Sequence, residues 1–204
     1  VFPAGEPAGV EPEKEEFSLR LIGELFQTYL LLQAPKEIIL VDKHAAHERL
    51  LYERLKGQDR EEFSQLLLEP VTVTLEKTEY AVALEKSDVL REAGFEIEDF
   101  GMGTILVRSA PLYLEHQEIG SSVVEILGYL LNHKRDVTTE HLDWIYHNIA
   151  CRAAIKAGDR SDPEEMLSLI RQLYENPEVR YCPHGRPVFV SMTKYEIEKK
   201  FGRV

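Results

Sequence analysis

The strongest constraint on this chain is a junction, Ile38-Ile39-Leu40-Val41-Asp42-Lys43-His44. The bulky apolar run, rich in β-branched residues, reads as a buried strand. From Asp42 onward the residues are mostly strong helix formers, with no Gly or Pro before Gly57. A strand therefore hands over to a helix at Asp42. His44 and Glu48 are four residues apart and share one helix face. Asp42 stands at the mouth of that face, and Glu53 lies about one turn further on. An imidazole and several carboxylates converging at a strand end can hold a divalent metal. The same residues also fit a solvated helix face with Asp42 as its N-cap.

With 204 residues, the chain can bury one sizeable core or two small ones. It has no long apolar run and no charged-then-apolar N-terminus. We therefore expect no membrane span and a cytoplasmic location. In that compartment Cys151 and Cys182 suit metal binding or free thiols better than a disulfide. The net charge of −12 argues against tight binding of duplex DNA by this chain alone. Any nucleic-acid role needs a local basic patch, a metal or a partner.

Residues 1–16 are rich in Pro, Gly, Ala and Glu without periodicity, so they read as a flexible linker. We expect a further domain upstream of them. Order begins near Phe17. A hairpin-like pair leads into Ile38–Val41, and after the helix a second helical pattern spans residues 61–68 and stops before Pro70. Val71–Leu75 alternates as a half-buried strand. Residues 79–84 are helical, Ser87 is a candidate cap, and Gly101-Met102-Gly103 forms a turn before the strand 104–108. A helix covers 123–131, and another covers 142–156. Asp162-Pro163-Glu164-Glu165 and Thr193 to Glu196 are capping boxes for two further helices, and 188–190 is a strand between them.

Cys182-Pro183-His184-Gly185-Arg186-Pro187 sets a thiol and an imidazole two residues apart in a Pro- and Gly-shaped loop. Thiolate and imidazole suit zinc, while carboxylates can bridge a second ion. A mixed Asp, Glu, His and Cys site can activate water for hydrolysis.

Taken together, these segments resemble the C-terminal domain of the MutL family of DNA mismatch-repair proteins. Asp42-Lys43-His44-Ala45, Glu48 and Glu53 resemble the family's endonuclease motif, which runs Asp-Gln-His-Ala, two residues, Glu, four residues, Glu. Ala150-Cys151-Arg152, Cys182–Pro187 and Phe201-Gly202-Arg203 resemble three further motifs, in the family's order. The departure is Lys43 in place of Gln. It points away from the His44/Glu48 face and is expected to matter little.

The resemblance implies metal-dependent hydrolysis of one DNA strand, with Asp42, His44, Glu48 and Glu53 in the catalytic motif. It implies that His44, Glu48, Cys151, Cys182 and His184 form or border a metal site, with Arg152, Arg186 and Arg203 supporting it. Zinc would be regulatory or structural, and Mn²⁺ or Mg²⁺ would drive nicking. ATP would act only through an upstream domain, since this chain has no Gly-rich phosphate loop. Gln65, Leu67, Leu68 and Pro70 resemble the family's peptide for the replication sliding clamp. The competing possibility is a helix end that buries Leu67 in its own domain.

The expected architecture is α+β with two subdomains. A discontinuous dimerisation subdomain, 17–72 and 139–204, carries the metal motifs, and 73–138 forms an inserted regulatory subdomain. Expected partners are a second copy in a homodimer, DNA, the sliding clamp, and a mismatch-recognition protein through the full-length chain. Two alternatives remain. One is a dimerisation scaffold with a structural zinc and no nicking. The other is a transcription regulator that binds a ligand in the insert.

Overall fold

A computed structural model describes residues 19–57, 60–133, 138–155 and 161–204. The expected linker, 1–16, lies outside them. The fold is α+β, with two antiparallel sheets. The first contains β1 (Arg20–Leu25), β2 (Tyr29–Gln33), β3 (Glu37–Asp42) and β7 (Phe189–Thr193), in that order. The second contains β4 (Ser64–Thr74), β5 (Glu96–Gly101) and β6 (Thr104–Pro111), with β6 in the middle. Among the described residues the helices are α1 (Lys43–Gly57), α2 (Arg60–Phe63), α3 (Lys77–Glu85), α4 (Ser87–Glu92), α5 (His116–Asn132), α6 (Thr138–Ala153), α7 (Pro163–Glu175) and α8 (Lys194–Lys200).

Helix α1 organises the packing because it is apolar on two sides. Ala45, Ala46 and Leu50 join Leu30, Leu32 and Val41 of the first sheet and Leu169 and Ile170 of α7 in one core. Leu51, Tyr52 and Leu55, further along α1, enter a second core with Ile145, Ile149 and Ala150 of α6. That second core also takes in Val73, Ile105 and Val107 of the second sheet, with Leu90 of α4 and Ile126 and Leu127 of α5. A helix buried on both sides carries its polar residues into the seam between the cores, and this places the site.

The strand register separates the two faces of the first sheet. Leu30 pairs with Val41 and Leu32 with Ile39 on the inner face. On the outer face Leu31 pairs with Leu40, Leu40 with Val190, and Ile38 with Met192. This outer face is apolar too, and Val190 on it is exposed.

Three expectations are corrected. The helical pattern at 61–68 is a single turn, α2, followed by strand β4 from Ser64. Gln65 and Leu66 are adequate helix formers, but pairing with Ala110 and Ser109 of β6 overrides their propensity. Ser87 lies inside α4, whose N-cap is Lys86, and makes no capping bond. Lys43 is far from indifferent. It is 1 % exposed, and its Nζ meets Glu24 Oε1 of β1 at 2.6 Å and Ser161 Oγ at 3.1 Å. Facing away from the Glu48 face, it turns inward and ties β1 to the start of α1.

Gly94 ends α4 with φ +91°, and a Cβ there would meet Phe63 Cε2 at 3.0 Å. Gly94→Ala is expected to cost about 1–3 kcal/mol through backbone strain and crowding of the ring. Urea denaturation of the variant against the parent chain checks this.

Candidate metal centre

The site forms where α1 leaves β3. Asp42 caps α1, its Oδ1 accepting from the Ala45 N–H at 3.0 Å. Its own N–H donates to Val188 O at 2.8 Å, which joins the strand end to the segment before β7. Asp42 and Arg186 line one cavity of about 390 Å³, together with Tyr29, Leu40 and Val190.

Glu48 lies one turn beyond His44 and is 2 % exposed. Three imidazoles surround its carboxylate. His184 Nδ1 is 3.0 Å and His147 Nε2 3.6 Å from Oε1, while His44 Nε2 is 4.0 Å from Oε2. Glu48 Oε1 and His147 Nε2 are nevertheless buried without a hydrogen-bond partner among the described residues. The buried Cys182 thiol completes a trio with Glu48 and His184, whose ligand atoms all lie within 4.8 Å of one another. Buried polar atoms left unmade are uncommon, and a pair of them beside a thiol fits an ion-binding pocket.

A tight turn sets Cys182 and His184. Cys182 N–H donates to Arg186 O at 2.9 Å, and Gly185 N–H donates to Cys182 O at 2.8 Å. Gly185 has φ +81°, a conformation that glycine adopts without cost. A bridge between Tyr181 and Pro187 closes the base of the loop. Arg49 of α1 donates to Tyr181 O at 3.3 Å and pairs with Glu53 at 2.6 Å. Glu53 thus holds the arginine that tacks this loop down, and makes no bond to Glu48 or the imidazoles.

His44 and His47 grip the same backbone group. The carbonyl of Ile155 can only accept, so His44 Nδ1 at 2.8 Å carries the proton and leaves its Nε2 lone pair facing Glu48. The Ile155 N–H donates to His47 Nδ1 at 3.1 Å. Burial, then the charges of Arg54 and His44, lower the His47 pKa. Burial, then His184, lower that of His147 against the pull of Glu48 and Asp143. Desolvation, then Glu48, push the Cys151 thiol up, while Arg152 and Arg186 oppose this. Cys151 thus lies within the field of the cluster but outside the tight trio.

The arginines part company. Arg152 pairs with Glu125 of α5 and donates to Ser121 Oγ at 3.1 Å, which fixes the end of α6. Arg186 faces the Asp42 cavity. Arg203 follows α8, is exposed, and makes no hydrogen bond or ion pair to the cluster. Away from the centre, Gln65–Pro70 lies in β4, where the register jumps between Leu66 and Val71. Leu66 and Leu68 project into solvent, while Leu67 packs on the second core.

The family model described as the MutL C terminal dimerisation domain matches residues 22–161. The chain belongs to this family. Similar curated proteins are each named DNA mismatch repair protein MutL. The one from Clostridium botulinum (strain Loch Maree / Type A3) is 34% identical over 188 residues, covering 91% of this chain and 28% of the relative. The one from Clostridium tetani (strain Massachusetts / E88) is 35% identical over 191 residues, covering 91% and 30%. The one from Clostridium perfringens (strain ATCC 13124) is 35% identical over 192 residues, covering 91% and 28%. The chain therefore spans under a third of the length of these MutL relatives.

Two histidines in this MutL-family centre escaped the sequence reading. His147 stands four residues before Cys151 on α6, so the two share a face, and that spacing was the available signal. His47 gave none, because its partner is a backbone amide distant in sequence.

Proposed function

We propose that this chain is the metal-dependent DNA-nicking and dimerisation module of a MutL-type mismatch-repair protein. The observation that carries the reading is Glu48, a buried carboxylate faced by three imidazoles and a thiol, with Oε1 left without a hydrogen bond among the described residues. Thiolate, imidazole and carboxylate donors fit zinc in a regulatory or structural role. Carboxylates at the strand end fit Mn²⁺ or Mg²⁺ for nicking. A divalent ion held here would supply charge neutralisation at a phosphodiester and an activated water. The side chains do the rest. Asp42 brings a carboxylate to the cavity mouth, and Arg186 offers a guanidinium to a phosphate in the same cavity. Glu53 and Arg49 hold the loop that presents Cys182 and His184.

The apolar outer face of the first sheet supports dimerisation there, since pairing two copies removes Leu31, Leu40 and Val190 from water. No helix of the described residues is long and apolar enough to cross a membrane, and the reading places the protein in the bacterial cytoplasm. The net charge of −12 opposes unaided DNA binding. The Gln65–Pro70 segment, exposed at Leu66 and Leu68 though Leu67 packs on the second core, fits a sliding-clamp tether that raises local DNA concentration. ATP and a mismatch-recognition protein would act through the rest of the full-length chain, and the insert around the second sheet would regulate.

The test is nicking of supercoiled plasmid with Mn²⁺ by the full-length protein with its clamp, against Asp42→Asn. Asn caps a helix as well as Asp does, so α1 stays intact while the charge is lost. Nicking is expected to fall on the order of 100-fold with the dimer preserved. Equal nicking by both proteins overturns the assignment of Asp42. No nicking by either leaves the dimerisation scaffold, which the capping bond of Asp42 also fits.

A further inference from the structure

We propose that Phe26, at the tip of the β1–β2 hairpin, is a DNA-contacting residue whose ring stacks on a base of the strand lying over Asp42 and Arg186. The inference rests on the nicking reading of this site and adds to it a means of holding the strand. The β1–β2 ladder ends at the pair Leu25–Tyr29, and Tyr29 of β2 pairs with Asp42 of β3. The turn 26–28 therefore extends past the end of the sheet at which Asp42 stands. Tyr29 and Phe189, both partly exposed, line the cavity that holds Asp42 and Arg186. The chain from Tyr29 back to Phe26 reaches at most about 10 Å. That is about three steps of roughly 3.4 Å along a DNA strand, so ring and cavity can engage one short stretch of it.

The backbone of this turn is strained. Phe26 and Gln27 have φ of +54° and +52°, and among the described residues Met102 is the only other non-glycine with positive φ. Two left-handed central residues define the type I′ hairpin turn, which Asn-Gly fits without strain. A bulky aromatic there persists only because its surroundings fix it. Thr28 N–H donates to Leu25 O at 3.1 Å, Thr28 Oγ1 donates to Phe26 O at 2.9 Å, and Lys43 N–H donates to Thr28 O at 3.1 Å. The last of these, with the Lys43–Glu24 pair at 2.6 Å, ties the turn to the first residue of α1, next to Asp42. The ring gains little packing in return. Phe26 is 86 % exposed, more than any other aromatic among the described residues. A strained backbone that holds an unpacked ring beside the Asp42 carboxylate has the form of a ligand contact.

Charge and size favour DNA over a second copy of the chain as the occupant. The net charge of −12 works against phosphate contacts, whereas stacking on a base needs no cation. A single ring is the full size of one base-stacking contact. It covers only a small part of the roughly 800 Å² that each partner buries in a standard protein interface. The outer face of the first sheet can pair two copies without this turn, which lies beyond the last ladder pair.

The experiment uses the full-length protein with its clamp and Mn²⁺ on supercoiled plasmid, and compares the parent with Phe26→Ala and Phe26→Trp. Phe26→Ala is expected to raise KM for DNA at least about fivefold while kcat changes less than about twofold. Phe26→Trp, which keeps a stacking face, is expected to stay within about twofold of the parent in both constants. Sedimentation is expected to show the same dimer in all three. In parallel, photoreactive p-benzoylphenylalanine in place of Phe26 is expected to couple the chain to DNA on irradiation. An unchanged KM in Phe26→Ala overturns the inference, as does coupling to the second copy alone or a dimer weakened together with nicking. If Phe26→Ala fails to fold, the photocoupling decides. A parent that couples to DNA but never nicks keeps the contact and removes the nuclease. A parent that does neither overturns both.

Discussion

Glu48→Gln is expected to lower zinc affinity by at least about 100-fold and to raise the stability of the metal-free chain by about 1–2 kcal/mol. The two effects have one cause. Glu48 is a nearly fully buried carboxylate, and its Oε1 has no hydrogen bond among the described residues. Without an ion, that carboxylate is held out of water with little return. Gln removes the charge while keeping an amide within 3.0 Å of the His184 ring. Metal titration together with urea denaturation in a chelator measures both quantities. A metal-free variant less stable than the parent would mean that the carboxylate has a purely structural role and that the trio is held by polar bonds alone. The opposed signs separate a binding site, which keeps a strained charge for its ligand, from a core, which does not.

Phe63→Ala should produce the largest loss of stability, about 3–5 kcal/mol. Phe63 is fully buried in the second core and meets Tyr146 of α6 edge-on at 6.1 Å. Its ring also fills the space above Gly94, so the cavity left behind has rigid walls: a glycine turn on one side and Pro111 beside it. Its carbonyl accepts the Leu112 N–H at 2.7 Å, which pins the start of β4 to the end of β6. The cost should appear as a lowered urea midpoint with an unchanged slope. Combining it with Gly94→Ala separates the two penalties of that substitution. Removing the ring relieves the contact at 3.0 Å, while the strain of φ +91° persists. A double variant whose cost is the plain sum of the two singles would place all of the Gly94 penalty in the backbone.

Much of the site was legible because its residues are close in sequence or carry a spacing. Asp42, His44 and Glu48 sit on one strand-to-helix junction, and helical periodicity alone puts the last two on one face. Cys182 and His184 share a short turn shaped by Pro183 and Gly185. The capping boxes at Asp162 and Thr193 formed where the residues indicated, because a cap is a local bond. The first half of β4 went unread, since Gln65 to Leu68 prefer a helix by themselves and only pairing with β6 makes them a strand, whereas its second half from Val71 was legible by alternation. Lys43 was misjudged for a related reason. Periodicity states which face a residue occupies, and burial against Glu24 depends on where β1 returns.

What the amino-acid order determined by itself is therefore the α+β pattern, the capped starts of α7 and α8, the candidate site residues and their kinship with the MutL family. Each depends on torsional preference, apolar period or residue chemistry within a few positions. The tertiary structure decided which of those residues meet. It placed Glu48 among His44, His147 and His184, set Arg152 on Glu125 and brought Asp42 and Arg186 to one cavity. Those meetings span up to about 140 positions and are set by the packing of α6, α1 and the 181–187 loop around two shared cores. No local preference encodes such a distance; only the burial of both sides of α1 does.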